Sequence, residues 1–106
     1  MDLSNLKIFI DYNKIQSYGF TKEVVNLEPL YDKWKSFGFD VSEVNGHDIK
    51  SIINTSKELF EEKSKPSLLI ANTIKGKGIK SMENKFESHY EVLDEKKYLN
   101  IIKNYQ

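Results

Sequence analysis

Two short stretches, Ile8-Phe9-Ile10 and Leu68-Leu69-Ile70-Ala71, are apolar at every position. A strand that is apolar on both faces needs cover above and below, and a parallel sheet between helices provides it. Strands are therefore expected over residues 6–11 and 68–73. A third, over 39–44, is more polar and suits a strand with one partly wet face. Between these runs the period changes from two to that of a helix. Leu27, Leu30, Tyr31, Trp34 and Phe37 recur at helical spacing, with Pro29 near the helix start and Gly38 where a C′ residue with positive φ belongs. Asp48 is a candidate N-cap for a second helix. Its apolar stripe is Ile49, Ile52, Ile53, Leu59 and Phe60, and it ends before Ser64-Lys65-Pro66. Tyr98, Ile101, Ile102 and Tyr105 share one face of a terminal helix over about 94–105. The order β-α-β-α-β, then a long loop, then α, predicts an α/β fold. Its parallel sheet has at least three strands, flanking helices and right-handed crossovers. The aromatic residues on these elements are expected in the core.

The bulk properties narrow the function classes. At 106 residues the chain is one domain-sized unit, and a unit this short buries only roughly 60–65% of its unfolded surface. Sixteen basic residues balance sixteen acidic ones, so no field steers the chain toward nucleic acid or an anionic membrane. Cysteine is absent, which excludes disulfides and thiolate metal sites. No apolar run approaches the roughly 20 residues of a membrane span, and no secretory pattern is visible, so a cytoplasmic location is expected by default. The first strand begins almost at once, without a preceding helix. A preceding segment is expected to be supplied by another polypeptide or to be missing.

In an open parallel sheet, ligands bind beyond the carboxyl ends of the strands. Residues 11–21 lead out of the strand over 6–11 there, and residues 73–79 lead out of the strand over 68–73. Asn13 offers a neutral amide oxygen beside backbone carbonyls, a donor type suited to Mg²⁺ or Ca²⁺ when a diphosphate brings the charge. A plain turn asparagine is the alternative. Lys75 and Lys77 sit among Gly76 and Gly78, which would let backbone approach an anion, but Gly76-Lys77-Gly78 is not a P-loop, and a solvated turn fits equally. His89, in Glu87-Ser88-His89-Tyr90, lies outside any apolar stripe and could bind phosphate, move a proton or do neither. His47 and Asp48 are adjacent but have no third partner at metal-ligand spacing. No carboxylate pair or Ser/His/Asp order suggests catalysis by this chain alone.

At these loops the sequence resembles the transketolase family, in the later part of its thiamine-diphosphate-binding domain. The matching segments are IDYNKIQSYGFT (10–21), LEPLYDKWKSFGFDVSEVNGHDI (27–49) and KPSLLIANTIKGKGIKSMENKFESHY (65–90), in the family's order. The resemblance is strongest to transketolases whose two halves are separate polypeptides. It implies that Asn13 binds, through its side chain, the divalent metal (Mg²⁺ or Ca²⁺) bridging the diphosphate of thiamine diphosphate, and that Ile15 binds it through its carbonyl. It also implies that Lys75 and His89 stand near the diphosphate, and it gives Gly46-His47-Asp48 a structural role as a turn. The whole chain, residues 1–106, is then a partial transketolase-type domain.

The departures are local to the histidine. The family usually has Trp before it and Gly after it, where this chain has Ser88 and Tyr90. Loss of the Trp anchor and the bulk of Tyr suggest a shifted loop. The family's Gly-Asp-Gly motif, whose aspartate is another metal ligand, has no match here, nor does the pyrimidine-binding domain with its activating glutamate. The resemblance therefore implies partner segments carrying both, a homo- or hetero-oligomer, and sugar phosphates as substrates. The complete assembly would transfer a two-carbon ketol unit by chemistry that belongs to the cofactor. The competing expectation is a non-catalytic remnant that keeps the fold as an interaction module.

Overall fold

The computed structural model describes residues 3–61 and 64–105. The elements are β1 (Lys7–Tyr12), β2 (Ile15–Gln16), β3 (Gly19–Phe20), α1 (Thr21–Val24), α2 (Leu30–Ser36), β4 (Asp40–Asn45), α3 (Ile49–Leu59), β5 (Ser67–Asn72), a 3₁₀ turn (Phe86–His89) and α4 (Glu95–Lys103). Three strands form one parallel sheet in the order β1-β5-β4, with Lys7 and Asp40 both in register with Ser67. This is the expected α/β architecture. The central strand is β5, whose Leu68, Leu69 and Ile70 are 0% exposed.

The alternation along β5 divides the core into two layers. Leu68 and Ile70 join Tyr12 and Val41 on one face, covered by Leu30, Tyr31 and Trp34 of α2. Leu69 joins Val44 on the other, covered by Ile52, Leu59 and Phe60 of α3 and its cap. A run apolar at every position is thus used on both sides, as a parallel strand between helices requires.

The helix ends follow the expected capping chemistry. Asp48 accepts a hydrogen bond from the Ser51 N–H, and Asp94 accepts one from Lys97. At the end of α2, Gly38 has φ of +89°. Its N–H donates to the Lys35 carbonyl while that of Phe39 donates to Trp34. Trp34 and Phe39 also pack edge to face at 5.1 Å, the apolar contact that accompanies this termination.

Several boundaries differ from expectation. β1 and β4 each begin and end one residue later than expected, and β5 one residue earlier. α2 starts only after Pro29, so Leu27 lies outside it, and Phe37 is its cap, 73% exposed. Ile49 and Ile53 of α3 are exposed too, because Ile52 and Leu59 hold the side that meets the sheet. Phe9 is 57% exposed at the β1 edge, against the core role expected of it, although its ring packs on Phe60 at 4.9 Å. α4 keeps its apolar face but buries none of it: Ile101 and Ile102 are half-buried, and Tyr98 and Tyr105 are exposed. The loop after β1 contains the β2–β3 hairpin and α1, elements too short for any periodic signal.

The molecule is drawn out, with extents of 53 × 32 × 19 Å and a radius of gyration of 17.2 Å. A compact chain of this length would have a radius of roughly 13 Å. Its accessible surface is 7874 Å², against roughly 6,100 Å² for a compact monomer of this mass. Among the described residues, no helix is long and apolar enough to cross a membrane.

Candidate functional site

The carboxyl ends of the three strands meet at one rim, and the segment leaving β5 is held there from both sides. The Thr73 N–H donates to the Tyr12 carbonyl at the end of β1 (3.2 Å), and the Thr73 hydroxyl donates to the Asp11 carboxylate. From the other side, Gly46 N–H donates to the Asn72 carbonyl at 2.7 Å. The Ile74 N–H donates to Nε2 of His47, also at 2.7 Å. A cavity of about 480 Å³ opens at this rim, lined by Lys14, Glu43, Asn45, His47, Asn72 and Thr73 among others.

Gly46 is required by proximity. A Cβ there would overlap Thr73 Cγ2 and lie 3.1 Å from the Asn72 carbonyl oxygen. The turn after β4 can therefore lie against β5 only without a side chain at this position. Asn45 completes it: its side-chain oxygen accepts from His47 N–H at 3.0 Å, and its carbonyl accepts from Asp48 N–H at 3.1 Å.

Asn13 and Ile15 lie in the turn that follows β1. The Asn13 side-chain oxygen accepts from the Ile15 N–H at 2.9 Å, which fixes the amide as an Asx-type turn. Lys14 between them takes the left-handed conformation, φ +62°. Its carbonyl accepts from both the N–H and the hydroxyl of buried Thr21, so α1 braces the turn. An amide oxygen has two lone pairs, and this bond uses one of them. Asn13 is thus both the turn residue of the bland reading and a neutral oxygen donor. Among the described residues, no group of three His, Cys, Asp or Glu could hold a metal.

Lys75 follows directly from the stapled segment and is half-buried. Its carbonyl accepts from Asn84 N–H at 2.9 Å. Gly76, with φ of +73°, lies where a Cβ would strike the Met82 carbonyl at 2.6 Å, so the loop closes on itself at a position that favours glycine. Lys77 faces Glu83 at 3.9 Å, and the same carboxylate accepts from Gly78 N–H. Of the two loop lysines, Lys77 is thus engaged with an acid.

His89 is set apart. It sits at the end of the 3₁₀ turn, exposed, with its ring edge to face against Tyr90 at 4.8 Å. The Ser88 hydroxyl donates to the Lys85 carbonyl. Asn13 and Ile15 thus follow β1 and Lys75 follows β5, at the carboxyl ends of paired strands, whereas His89 belongs to the 3₁₀ turn further along the chain. His47 as a hydrogen-bond acceptor, Gly46 as a close approach and Thr73 as a link to Asp11 were missed from sequence. The one local signal for them was the Asn-Gly-His-Asp turn after a strand.

Behind the rim, the Tyr12 hydroxyl donates to Glu28 at 2.9 Å, and the other carboxylate oxygen accepts from Leu30 N–H at 3.0 Å. Burial and then the Glu28 bond push the Tyr12 phenol above its ordinary value. The Leu30 N–H and then the Tyr12 hydroxyl hold the Glu28 carboxyl below its own.

In an open parallel α/β sheet, the carboxyl ends of the strands are where ligands bind. Residues 1–105 match the family described as transketolase, thiamine diphosphate binding domain, and the chain belongs to that family. It is 44% identical over 87 residues to a 6-deoxy-6-sulfo-D-fructose transketolase subunit of Clostridium sp., covering 82% of this chain and 32% of that protein. It is also 44% identical over 90 residues to an apulose-4-phosphate transketolase subunit of Actinobacillus succinogenes, covering 85% and 32%. Among solved structures, transketolase from Campylobacter jejuni superposes with a TM-score of 0.72 at 32% identity, over 82% of this chain and 13% of that one. The chain thus spans about a third of the length of the subunit relatives it matches.

Proposed function

We propose that this chain supplies the metal-diphosphate end of a thiamine-diphosphate site in a transketolase-like enzyme that moves a two-carbon ketol unit between sugar phosphates. The observation that carries the reading is the stapled rim, where the entry to the Lys75 loop is bonded to Asp11 and Tyr12, the residues just before the Asn13–Ile15 turn. The donor set fits the group. The Asn13 amide and the Ile15 carbonyl are hard, neutral oxygens of the kind Mg²⁺ prefers, and they need phosphate oxygens and a further ligand to complete six-fold coordination. When bound, thiamine diphosphate supplies the electron sink for ketol transfer. This chain's share is to orient the metal-facing oxygens through the Asx turn and to place the Lys75 ammonium near phosphate charge. The remaining groups would come from segments other than these 106 residues, one with a Gly-Asp-Gly motif and one binding the pyrimidine. The surplus surface supports such an assembly. The relatives are named for a sulfonated sugar and a sugar phosphate, so an anionic sugar is the substrate class.

A non-catalytic role is favoured by one observation, the contact of Tyr90 with an exposed His89. Reconstitution separates the two readings. The chain mixed with the two complementary segments, thiamine diphosphate and Mg²⁺ is expected to convert a ketose phosphate and an aldose phosphate. Full binding of cofactor without turnover would establish the non-catalytic reading instead.

A further inference from the structure

His47 was assigned from sequence to a structural turn, yet its side chain makes a bond that a turn residue has no need of. Its Nε2 accepts the Ile74 N–H at 2.7 Å, one residue before Lys75. We propose that His47 is a positioning residue that clasps the entry of the Lys75 loop to the turn after β4, and that it does so only as the neutral imidazole. The consequence for cofactor rests on the function proposed above; the clasp itself does not.

The geometry fixes the chemistry. An acceptor Nε2 carries no proton, so the ring's single proton is on Nδ1; a second proton would turn acceptor into donor and set two N–H groups against each other. The ring is held ready by its own turn, through the Asn45 bond to His47 N–H and the close approach at Gly46. The partner is a backbone donor just past the end of β5, where the sheet ladder no longer serves it. Without His47, that N–H has water as its alternative, and the peptide before Lys75 loses its restraint on the β4 side. Thr73 would still hold the β1 side through Tyr12 and Asp11.

The charged groups around the ring make protonation consequential. Lys14, from the turn after β1, and Glu43, on β4, line the same cavity as His47. Asp48, next in sequence, is committed to capping α3, and Asp11 to the Thr73 hydroxyl. Lys75 follows the clasped residue. An imidazolium would add a second cation beside Lys14 with Glu43 as the opposing charge, and it would do so where the acceptor is lost.

Glutamine separates the clasp from a merely structural histidine. Its amide oxygen lies as many bonds from the backbone as Nε2, accepts a hydrogen bond, and does not titrate. The test is amide hydrogen exchange on the full chain, read as protection factors for Ile74 and, as internal reference, Thr73, between about pH 8 and about pH 5, where histidine ordinarily titrates. In the wild type, Ile74 protection is expected to fall at least about tenfold toward acid, the equivalent of one lost hydrogen bond, while Thr73 protection holds. In His47→Gln, Ile74 stays protected at both ends; in His47→Ala, it is unprotected throughout. If the Ala variant unfolds and Thr73 protection is lost as well, the contrast between wild type and Gln decides alone. Ile74 protection that is flat with pH in the wild type, or that titrates equally in His47→Gln, would overturn the proposal. In the reconstituted assembly, the affinity for Mg²⁺–thiamine diphosphate is expected to follow the same order. Failure of every form to bind it, with the exchange pattern intact, would overturn the cofactor reading and leave the clasp standing.

Discussion

Replacing Gly46 by alanine tests how closely the turn after β4 lies against the central strand. The added Cβ would overlap Thr73 Cγ2, with the Asn72 carbonyl oxygen at 3.1 Å and Ala71 Cβ at 3.2 Å. Thr73 is poorly placed to yield, because its hydroxyl is bonded to Asp11 and its N–H to Tyr12. Overpacking of this kind costs about 2–3 kcal/mol, and the stiffer unfolded chain of Gly→Ala returns about 0.5–1 kcal/mol. A net loss of about 2 kcal/mol is expected. Thr73→Ser removes the struck methyl while keeping the hydroxyl, at a cost of about 0.5 kcal/mol for a half-buried methyl. The double variant should therefore lose less than Gly46→Ala alone, a favourable coupling of about 1 kcal/mol or more. Urea unfolding at fixed protein concentration, followed by the fluorescence of Trp34, the single tryptophan, measures all four corners of the cycle. Strict additivity, or a Gly46→Ala variant within about 0.5 kcal/mol of wild type, would show that the turn does not lie where the structure puts it.

Tyr12→Phe removes the hydroxyl from Glu28 and is expected to cost about 1 kcal/mol at neutral pH, discounted because the carboxylate is exposed. The Glu28 carboxyl is lowered in the folded state, so its contribution is present above the unfolded value of about 4.3 and is lost as pH falls through the folded one. The gap between wild type and Tyr12→Phe should close in acid, and a gap constant from about pH 7 to about pH 3 would refute the pairing. The Tyr12 phenol is raised, so its own contribution is present below about pH 10 and lost as pH rises through the folded value, which alkaline unfolding would register. Sedimentation of the chain alone at tens of micromolar is expected to show self-association, because β1 is an edge strand carrying exposed Phe9; a compact monomer would contradict this. Lys75→Ala in the reconstituted assembly should weaken cofactor binding about 3–10-fold at low salt and less at high salt, and a salt-independent effect would remove the charge role.

The parts of this fold that were legible in sequence are those that local physics dictates. Leu68-Leu69-Ile70 could be satisfied only with cover on both faces, and the structure gives it cover on both. Asp48 and Gly38 act within one turn of their own position, so their capping roles needed no tertiary knowledge. Ser42 and Glu43 marked β4 as partly wet, in keeping with its place at the sheet edge. The misreadings have a common cause. Phe9, Phe37, Ile49 and Ile53 carry the apolar pattern of core residues, but pattern records which side of an element is apolar and not whether anything lies against it. At the candidate site, Asn13 and Lys75 were visible as residue types on loops that follow strands, where the structure also has them, and their proposed roles come from the family resemblance alone. The bond from Ile74 to His47 joins positions 27 apart on different strand-end loops. No periodicity or motif reports such a pairing, because it depends on which strands become neighbours.

The central claim is that Asn13 presents the metal-binding oxygen for a diphosphate. It is tested most directly by calorimetric titration of thiamine diphosphate, in millimolar Mg²⁺, into the chain assembled with the Gly-Asp-Gly-bearing and pyrimidine-binding segments. Wild type is compared with Asn13→Ala, with Lys75→Ala and His47→Ala as references. Loss of a direct ligand is expected to weaken binding by about 100-fold or more, beyond the roughly 10–100-fold typical of groups that act through a ligand, and therefore more than either reference. The chain alone should bind neither metal nor cofactor measurably, since one amide and one carbonyl leave most of the coordination sphere unfilled. Equal affinities for wild type and Asn13→Ala would contradict the account.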